Sequence, residues 1–247
     1  MESFFVYFMV AFGWFIGGTV GAATGIGGVM AAMPLLTLVL SPADAVLVSC
    51  LAGLIGSVQV SAAYYRSCTV KNIKELVAGA VPGCVIGVWV LKVASMQSLQ
   101  IMVCAMILLF VGMQMIPKSA GYRLPDRPLY GVLAGTASGF VNASVAMVGV
   151  PLGIYILLAH WAPDRARGNM SIFYVLSGVI TVALQMCAGL YTVELLQISV
   201  AGIVGILSGG VLGVRLGRRI DQQMFRRVVI AFLLMAAVIL FVRAVRP

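Results

Sequence analysis

The chain has 247 residues, 62% of them hydrophobic and 9% charged, and a formal net charge of +9; its mean hydropathy is +1.11. Soluble domains carry about 25% charged and about 45–50% apolar residues, so soluble enzymes and disordered chains are excluded. The excess of Lys and Arg reads as the cytoplasmic loops of an integral membrane protein rather than as a nucleic-acid surface.

Met1-Glu2-Ser3 precedes the first apolar run without a Lys or Arg, so that run is expected to stay in the mature protein. Residues 3–43 carry no charge. As one helix they would be about 60 Å long, twice the ~30 Å of bilayer hydrocarbon. Gly25-Ile26-Gly27-Gly28 and then Pro34 interrupt them. Spans of about 20 residues are expected at 45–65, 73–92 and 97–116, followed by a basic linker at 118–127. Residues 128–159 are again charge-free and too long for an ordinary crossing, with an interruption from Gly139 through Ser144 before Pro151. Further spans are expected at 168–188, 195–214 and 228–244.

Each long run is either one bent crossing or a re-entrant hairpin, and charge bias separates the two. With single crossings the Lys and Arg residues divide eight and eight between the two sides of the membrane. With hairpins at 3–41 and 128–160, 13 fall on one side and 3 on the other. Orientation follows this bias, so hairpins are expected, with both termini on the outer side of the cell (inner or plasma) membrane.

The halves resemble one another. Pro34-Leu35 answers Pro151-Leu152, Pro42 answers Pro163, and Gly79, Gly83 and Gly87 answer Gly205, Gly209 and Gly213. The expected fold is an all-α polytopic membrane protein of two inverted repeats, 1–117 and 128–247. Each would be a broken hairpin plus three spans, about eight helical units in all. Broken helices at matching positions of inverted repeats are the signature of secondary transporters.

At Gly21-x-x-x-Gly25-Ile26-Gly27-Gly28, at Pro34-Leu35-Leu36 and again from Gly131 to about Val242, the chain resembles the TauE/SafE family of permeases, the sulfite and organosulfonate exporters. It departs from the family pattern at Val29, where a third glycine is frequent, and at Asn142-Ala143-Ser144. The resemblance implies outward transport of small, sulfur-containing anions. The alternatives are an anion uptake permease of the sulfate kind and a non-transporting membrane subunit.

No Lys or Arg falls at the centre of an expected span, where a charge is costly. The N-terminus of a half-helix offers free N–H groups and about half a positive charge instead. Half-helices are expected to begin near Gly27 and Ala143 and to aim those ends at the midplane. Gly25, Gly27 and Gly28 would let backbone approach an oxyanion, with Thr24, Asn142 and Ser144 as added donors. Gln59 in one span, and Asn169 and Tyr174 in its mate, are further candidates, beside Ser57, Ser61, Ser171, Ser177 and Gln185. Gln114 and Thr181 fit lining and helix contact equally. The glycines at four-residue spacing read as packing faces.

Asp164-Arg165 reads as an interfacial pair or a helix start after Pro163, and His160 beside Trp161 as an interface anchor. The five cysteines show no CxxC spacing and read mostly as packing residues. Catalytic and phosphate-loop motifs are absent from the sequence, so neither an enzyme nor a cofactor is expected. The expected partners are a small anion and membrane lipid, with no nucleic acid and a homodimer left open. Every Asp and Glu falls in a loop or at a span end, so protons ride on the substrate, couple through His160 or a span-end carboxylate, or are not coupled at all; anion exit down an inside-negative potential would be physically sufficient.

Overall fold

In the computed structural model, which describes residues 2–24, 27–64, 70–115, 124–125, 127–217, 230–231 and 234, the chain is all-helical. Nine helices and no strand occur among the described residues. Most of the 118–127 linker and of the expected span 228–244 lies outside them. α1 is Glu2–Thr24, α2 Gly28–Leu36, α3 Pro42–Tyr64, α4 Val70–Val93, α5 Met96–Met115, α6 Pro128–Val145, α7 Gly149–Leu158, α8 Pro163–Cys187 and α9 Val193–Gly217. Six of these are long and apolar enough to cross a membrane: α1, α3, α4, α5, α8 and α9. The molecule is a multi-pass membrane protein.

Helix starts follow proline. Pro42, Pro128 and Pro163 each open a helix, a position where the missing N–H leaves no bond unmade. This carries α3 and α8 back to 42 and 163, ahead of the apolar starts at 45 and 168. The polar first turns lie outside what hydropathy detects.

The two charge-free runs both fold as a long helix followed by a short one. The first is no pair of equal short arms. α1 has 23 residues, about 34 Å at 1.5 Å per residue, whereas α2 has 9. α2 runs back along α1, with Gly28 against Gly17 and the Leu35–Leu36 end against Gly13. Trp14 lies beside Gly53, and Ile206 packs on both Gly18 and Gly56, so α3 runs in the same direction as α1. The α1–α2 unit therefore returns to the end of the bundle where it began. α6 and α7 do the same, because the Leu124 N–H, just ahead of α6, donates to the Leu158 carbonyl at the end of α7 (3.0 Å).

The most extensive helix contacts are α4 with α6 and α1 with α9, and glycine makes both. A Cβ on Gly79, Gly83 or Gly87 of α4 would run into the carbonyl oxygens of Val132, Thr136 and Phe140 on α6. One on Gly205, Gly209 or Gly213 of α9 would meet those of Ala11, Phe15 and Thr19 on α1. The close approach is reciprocal, with Gly139 on the Ala80 carbonyl and Gly18 on that of Ile206. These glycines are packing faces, as their spacing suggests. Such backbone-to-backbone contact is how helices gain van der Waals energy where lipid removes the hydrophobic drive.

The largest apolar cluster among the described residues joins α2 (Met30–Met33, Leu36), α3 (Ala45–Val48), α5 (Val103, Ile107, Phe110), the α6–α7 break (Val145–Met147) and Val150 of α7. Phe, Leu, Ile and Val side chains are exposed along the outer faces of the long helices, as lipid contact requires.

Candidate functional site

The first break is a glycine turn. Gly27 has φ 99° and caps α2, a left-handed conformation that glycine adopts without strain. The second break is displaced from where half-helix geometry places it in the sequence. Asn142, Ala143 and Ser144 lie in the last turn of α6, and α7 begins at Gly149. Ala146 turns the chain with φ 60°. Its N–H donates to the Asn142 carbonyl (2.8 Å) and that of Met147 to the Val141 carbonyl (3.4 Å), so a left-handed residue ends the helix without glycine, as in the αL motif. The proline correspondence shifts too: Pro34 lies inside α2, whereas Pro151 sits in the first turn of α7.

Asn142 is the centre of a buried polar network. Its Nδ2 donates to Ser177 Oγ (3.2 Å) and to Thr181 Oγ1 (3.0 Å), both on α8. Thr181 Oγ1 also lies 3.3 Å from Cys84 Sγ on α4. Gln185, one further turn along α8, donates through Nε2 to the Ala143 carbonyl (3.3 Å) and to Cys50 Sγ on α3 (3.5 Å). Cys50 in turn donates to the Asn142 carbonyl (3.6 Å). Tyr191, in the α8–α9 turn, closes the chain, its hydroxyl 3.0 Å from both Gln185 Oε1 and the Leu47 carbonyl. Burial pushes the Tyr191 phenol up, so it stays protonated and donates.

Ser177, Thr181 and Gln185 are all fully buried. A polar group without a partner in such a place costs roughly 2–7 kcal/mol. The network avoids that cost by pairing donor with acceptor across α3, α4, α6 and α8. Ser177, Thr181 and Gln185 recur every four residues on α8. Ser177 and Gln185 are among the polar span positions singled out in the sequence, whereas Thr181 fits lining and helix contact equally there, and Cys50 and Cys84 read there as packing residues.

A family model described as "Sulfite exporter TauE/SafE" matches residues 10–240. The chain belongs to the sulfite exporter TauE/SafE family. Neither a curated relative nor a solved structure matches it. TauE/SafE proteins are membrane transporters rather than enzymes, and the membrane-spanning helices above accord with that.

The remaining candidates from the sequence are dispersed in this TauE/SafE chain. Ala143 and Ser144 are buried beside Asn142, and Ser144 Oγ donates back to the Phe140 carbonyl (2.7 Å). Asn169 is fully buried two turns before Ser177 on α8. The Tyr174 hydroxyl is buried without a hydrogen-bond partner among the described residues. Its ring packs on the cluster that includes Leu152, Met170 and Phe173.

Gln59 is exposed on α3, next to Gly210 of α9, and is not brought to Asn142. Gly28 is pressed onto the Gly17 carbonyl, and Gly27 faces the Phe110 ring, 3.3 Å from where its Cβ would be. Thr24 ends α1; its side chain, and Gly25, lie outside the described residues. Among the described residues, Gly27 at the first break and Val145–Met147 at the second thus face apolar core. Two shallow apolar grooves, of about 300 Å³ between α6 and α7 and about 220 Å³ between α1 and α9, reach neither Gly27 nor Asn142.

Proposed function

We propose that the chain is a secondary carrier that exports small anions, sulfite or organosulfonates, by alternating access. Asn142, Ser177, Thr181 and Gln185 supply the donors of its binding site. The observation that carries this reading is the polar network itself, set where α3, α4, α6 and α8 meet in an otherwise apolar molecule. Intramembrane polar groups of this kind mark substrate paths in transporters. Asn142 and Gln185 are amide donors, and Ser177, Thr181 and Tyr191 are hydroxyl donors. In the closed arrangement they satisfy each other; a sulfite or sulfonate offers three oxygens that can take their place. Hydrogen bonds to an anion are about twice as strong as neutral ones, so an arriving anion offsets the parting of α8 from α6.

The matched glycine ladders support the inverted repeat. The first helix of each half is locked to the fourth helix of the other, in the same register. Rocking then takes place between the α1–α9 and α4–α6 units, across the α3–α8 seam, rather than between residues 1–117 and 128–247 as blocks. The charge bias of the loops supports a cell inner or plasma membrane location with both termini outside. An inside-negative potential favours anion exit by about 2.3 kcal/mol per charge per 100 mV.

The test is ligand-dependent thermal unfolding of the detergent-purified protein with sulfite, taurine, isethionate, sulfate and carboxylate controls. A ligand at a hundred times its Kd stabilises the folded state by about 2.7 kcal/mol. Selective stabilisation by sulfite or a sulfonate, lost in Asn142→Ala, is the expected result. Stabilisation by none of the anions, or an equal response in Asn142→Ala, contradicts the proposal.

A further inference from the structure

Ser177, Thr181 and Gln185 are the far end of a longer row. Residues 165, 169, 173, 177, 181 and 185 of α8 read Arg, Asn, Phe, Ser, Thr and Gln, and from 169 onward each is fully buried. Residues four apart share a helix face, and this row is matched along α4 by Asn72, Leu76, Ala80 and Cys84. Arg165 Nη2 donates to Asn72 Oδ1 (2.5 Å), Phe173 packs in one cluster with Leu76 and Ala80, and Thr181 meets Cys84. The two rows thus meet from Arg165 to Thr181. Phe173, between Leu76 and Ala80, is the one apolar member of the α8 row.

Arg165 begins that row. The side chain of Asp164 lies outside the described residues. The Arg165 guanidinium is held by Asn72, which is buried, and lies 4.9 Å from the centroid of the Trp161 ring. Trp161 is itself fixed edge-on against Tyr155, with centroids 5.4 Å apart. Arg165 Nε is buried and has no hydrogen-bond partner among the described residues. The carboxylate of Glu75, on the same stretch of α4, is directed at Gly131 of α6. An arginine carries five donors in a planar fork that matches an oxyanion in bidentate fashion. Here Nη2 is held by Asn72 and Nε is left over.

We propose that Arg165, braced by Asn72 and Trp161, is a binding site for one oxyanion group at the mouth of the α8 row, separated from the Asn142 cluster by the Phe173 plug. The role in export rests on the transport reading above; the site itself does not. The oxyanion is either the free sulfite or sulfonate awaiting transport or a lipid phosphate, which share the same chemistry. The positive guanidinium gathers the anion, and the neutral donors beyond Phe173 receive it. This division spares the membrane interior a buried charge.

The test is calorimetric titration of sulfite, and of inorganic sulfate, into the full-length protein in phosphatidylcholine nanodiscs, with and without phosphatidylglycerol. Wild type is compared with Arg165→Gln, Arg165→Lys and Asn72→Ala, each first matched for unfolding temperature without ligand. For a free anion, Arg165→Gln weakens sulfite binding at least tenfold and Arg165→Lys falls between, since lysine keeps the charge but not the fork. Asn72→Ala weakens it through loss of the brace. For a lipid phosphate, sulfite gives no Arg165-dependent heat, and the phosphatidylglycerol that co-purifies with wild type falls in Arg165→Gln; this also supports the site. Sulfite binding within twofold of wild type in Arg165→Gln, with unchanged lipid, overturns it. Efflux from proteoliposomes made from the same preparations separates the two claims. Arg165-dependent binding without efflux overturns transport and keeps the site, whereas efflux with binding and KM unchanged in Arg165→Gln overturns the site and keeps transport.

Discussion

Gly83 of α4 and Thr136 of α6 meet backbone to backbone: a Cβ on Gly83 would run into the Thr136 carbonyl oxygen, and Gly209 of α9 stands in the same relation to Phe15 of α1. The helix axes at these points are as close as glycine permits, so any side chain must push two backbones apart. Gly83→Ala and Gly209→Ala are therefore expected to destabilise by about 1–3 kcal/mol each, the usual cost of overpacking. Gly112 of α5 has open space within 4 Å of where a Cβ would stand, and Gly112→Ala is expected to be neutral or slightly stabilising. Thermal unfolding in one detergent compares all three. Equal midpoints for Gly83→Ala and Gly112→Ala would show that the ladder is not a tight contact.

Gly27 imposes a different constraint, since its φ of 99° is left-handed whatever the space around it. A β-branched residue there costs roughly 1–2 kcal/mol, whereas asparagine visits this region more readily. The Phe110 ring, the nearest group to an added Cβ, is a side chain and can shift. Gly27→Val is expected to unfold at a lower temperature than Gly27→Asn, and both below wild type. The reverse order would mean that side-chain bulk near Phe110, not backbone conformation, governs the position.

Tyr191 ties the α8–α9 turn to α3 through Leu47 and to the network through Gln185. Tyr191→Phe removes the one hydroxyl proton that the Leu47 carbonyl and Gln185 Oε1 share. A net loss of about 0.5–1.5 kcal/mol is expected for a hydrogen bond of this kind. Gln185→Leu removes the acceptor for Tyr191 and the donor to Ala143 and Cys50 together, so the double variant should cost less than the sum of the two single ones. A thermodynamic cycle on unfolding in urea measures this coupling, and strict additivity would break the link between the two residues.

How far the sequence reveals this arrangement depends on which force shapes each part. The long helices α3, α4, α5, α8 and α9 follow the apolar runs between charged loops, because bilayer thickness dictates their length. The ladder of Gly79, Gly83 and Gly87 is visible as four-residue spacing, which has one common physical meaning in lipid. The second break escaped because Ala146, an ordinary residue, adopts the left-handed turn and carries no compositional mark. The drawing of Gln59 away from Asn142, and of Cys50 and Cys84 toward it, is set by helix packing across the chain. No periodicity within a single helix records it.

Transport through the Asn142 network is tested by the initial rate of sulfite efflux from proteoliposomes under an imposed inside-negative potential, for wild type and Thr181→Val. Valine keeps the shape of threonine while removing the hydroxyl that meets both Asn142 and Cys84. Efflux above that of protein-free vesicles is expected, accelerating with the potential and falling at least tenfold in Thr181→Val, a loss of about 1.4 kcal/mol of transition-state stabilisation. No sulfite efflux above that of empty vesicles, or wild-type rates in Thr181→Val, would contradict it.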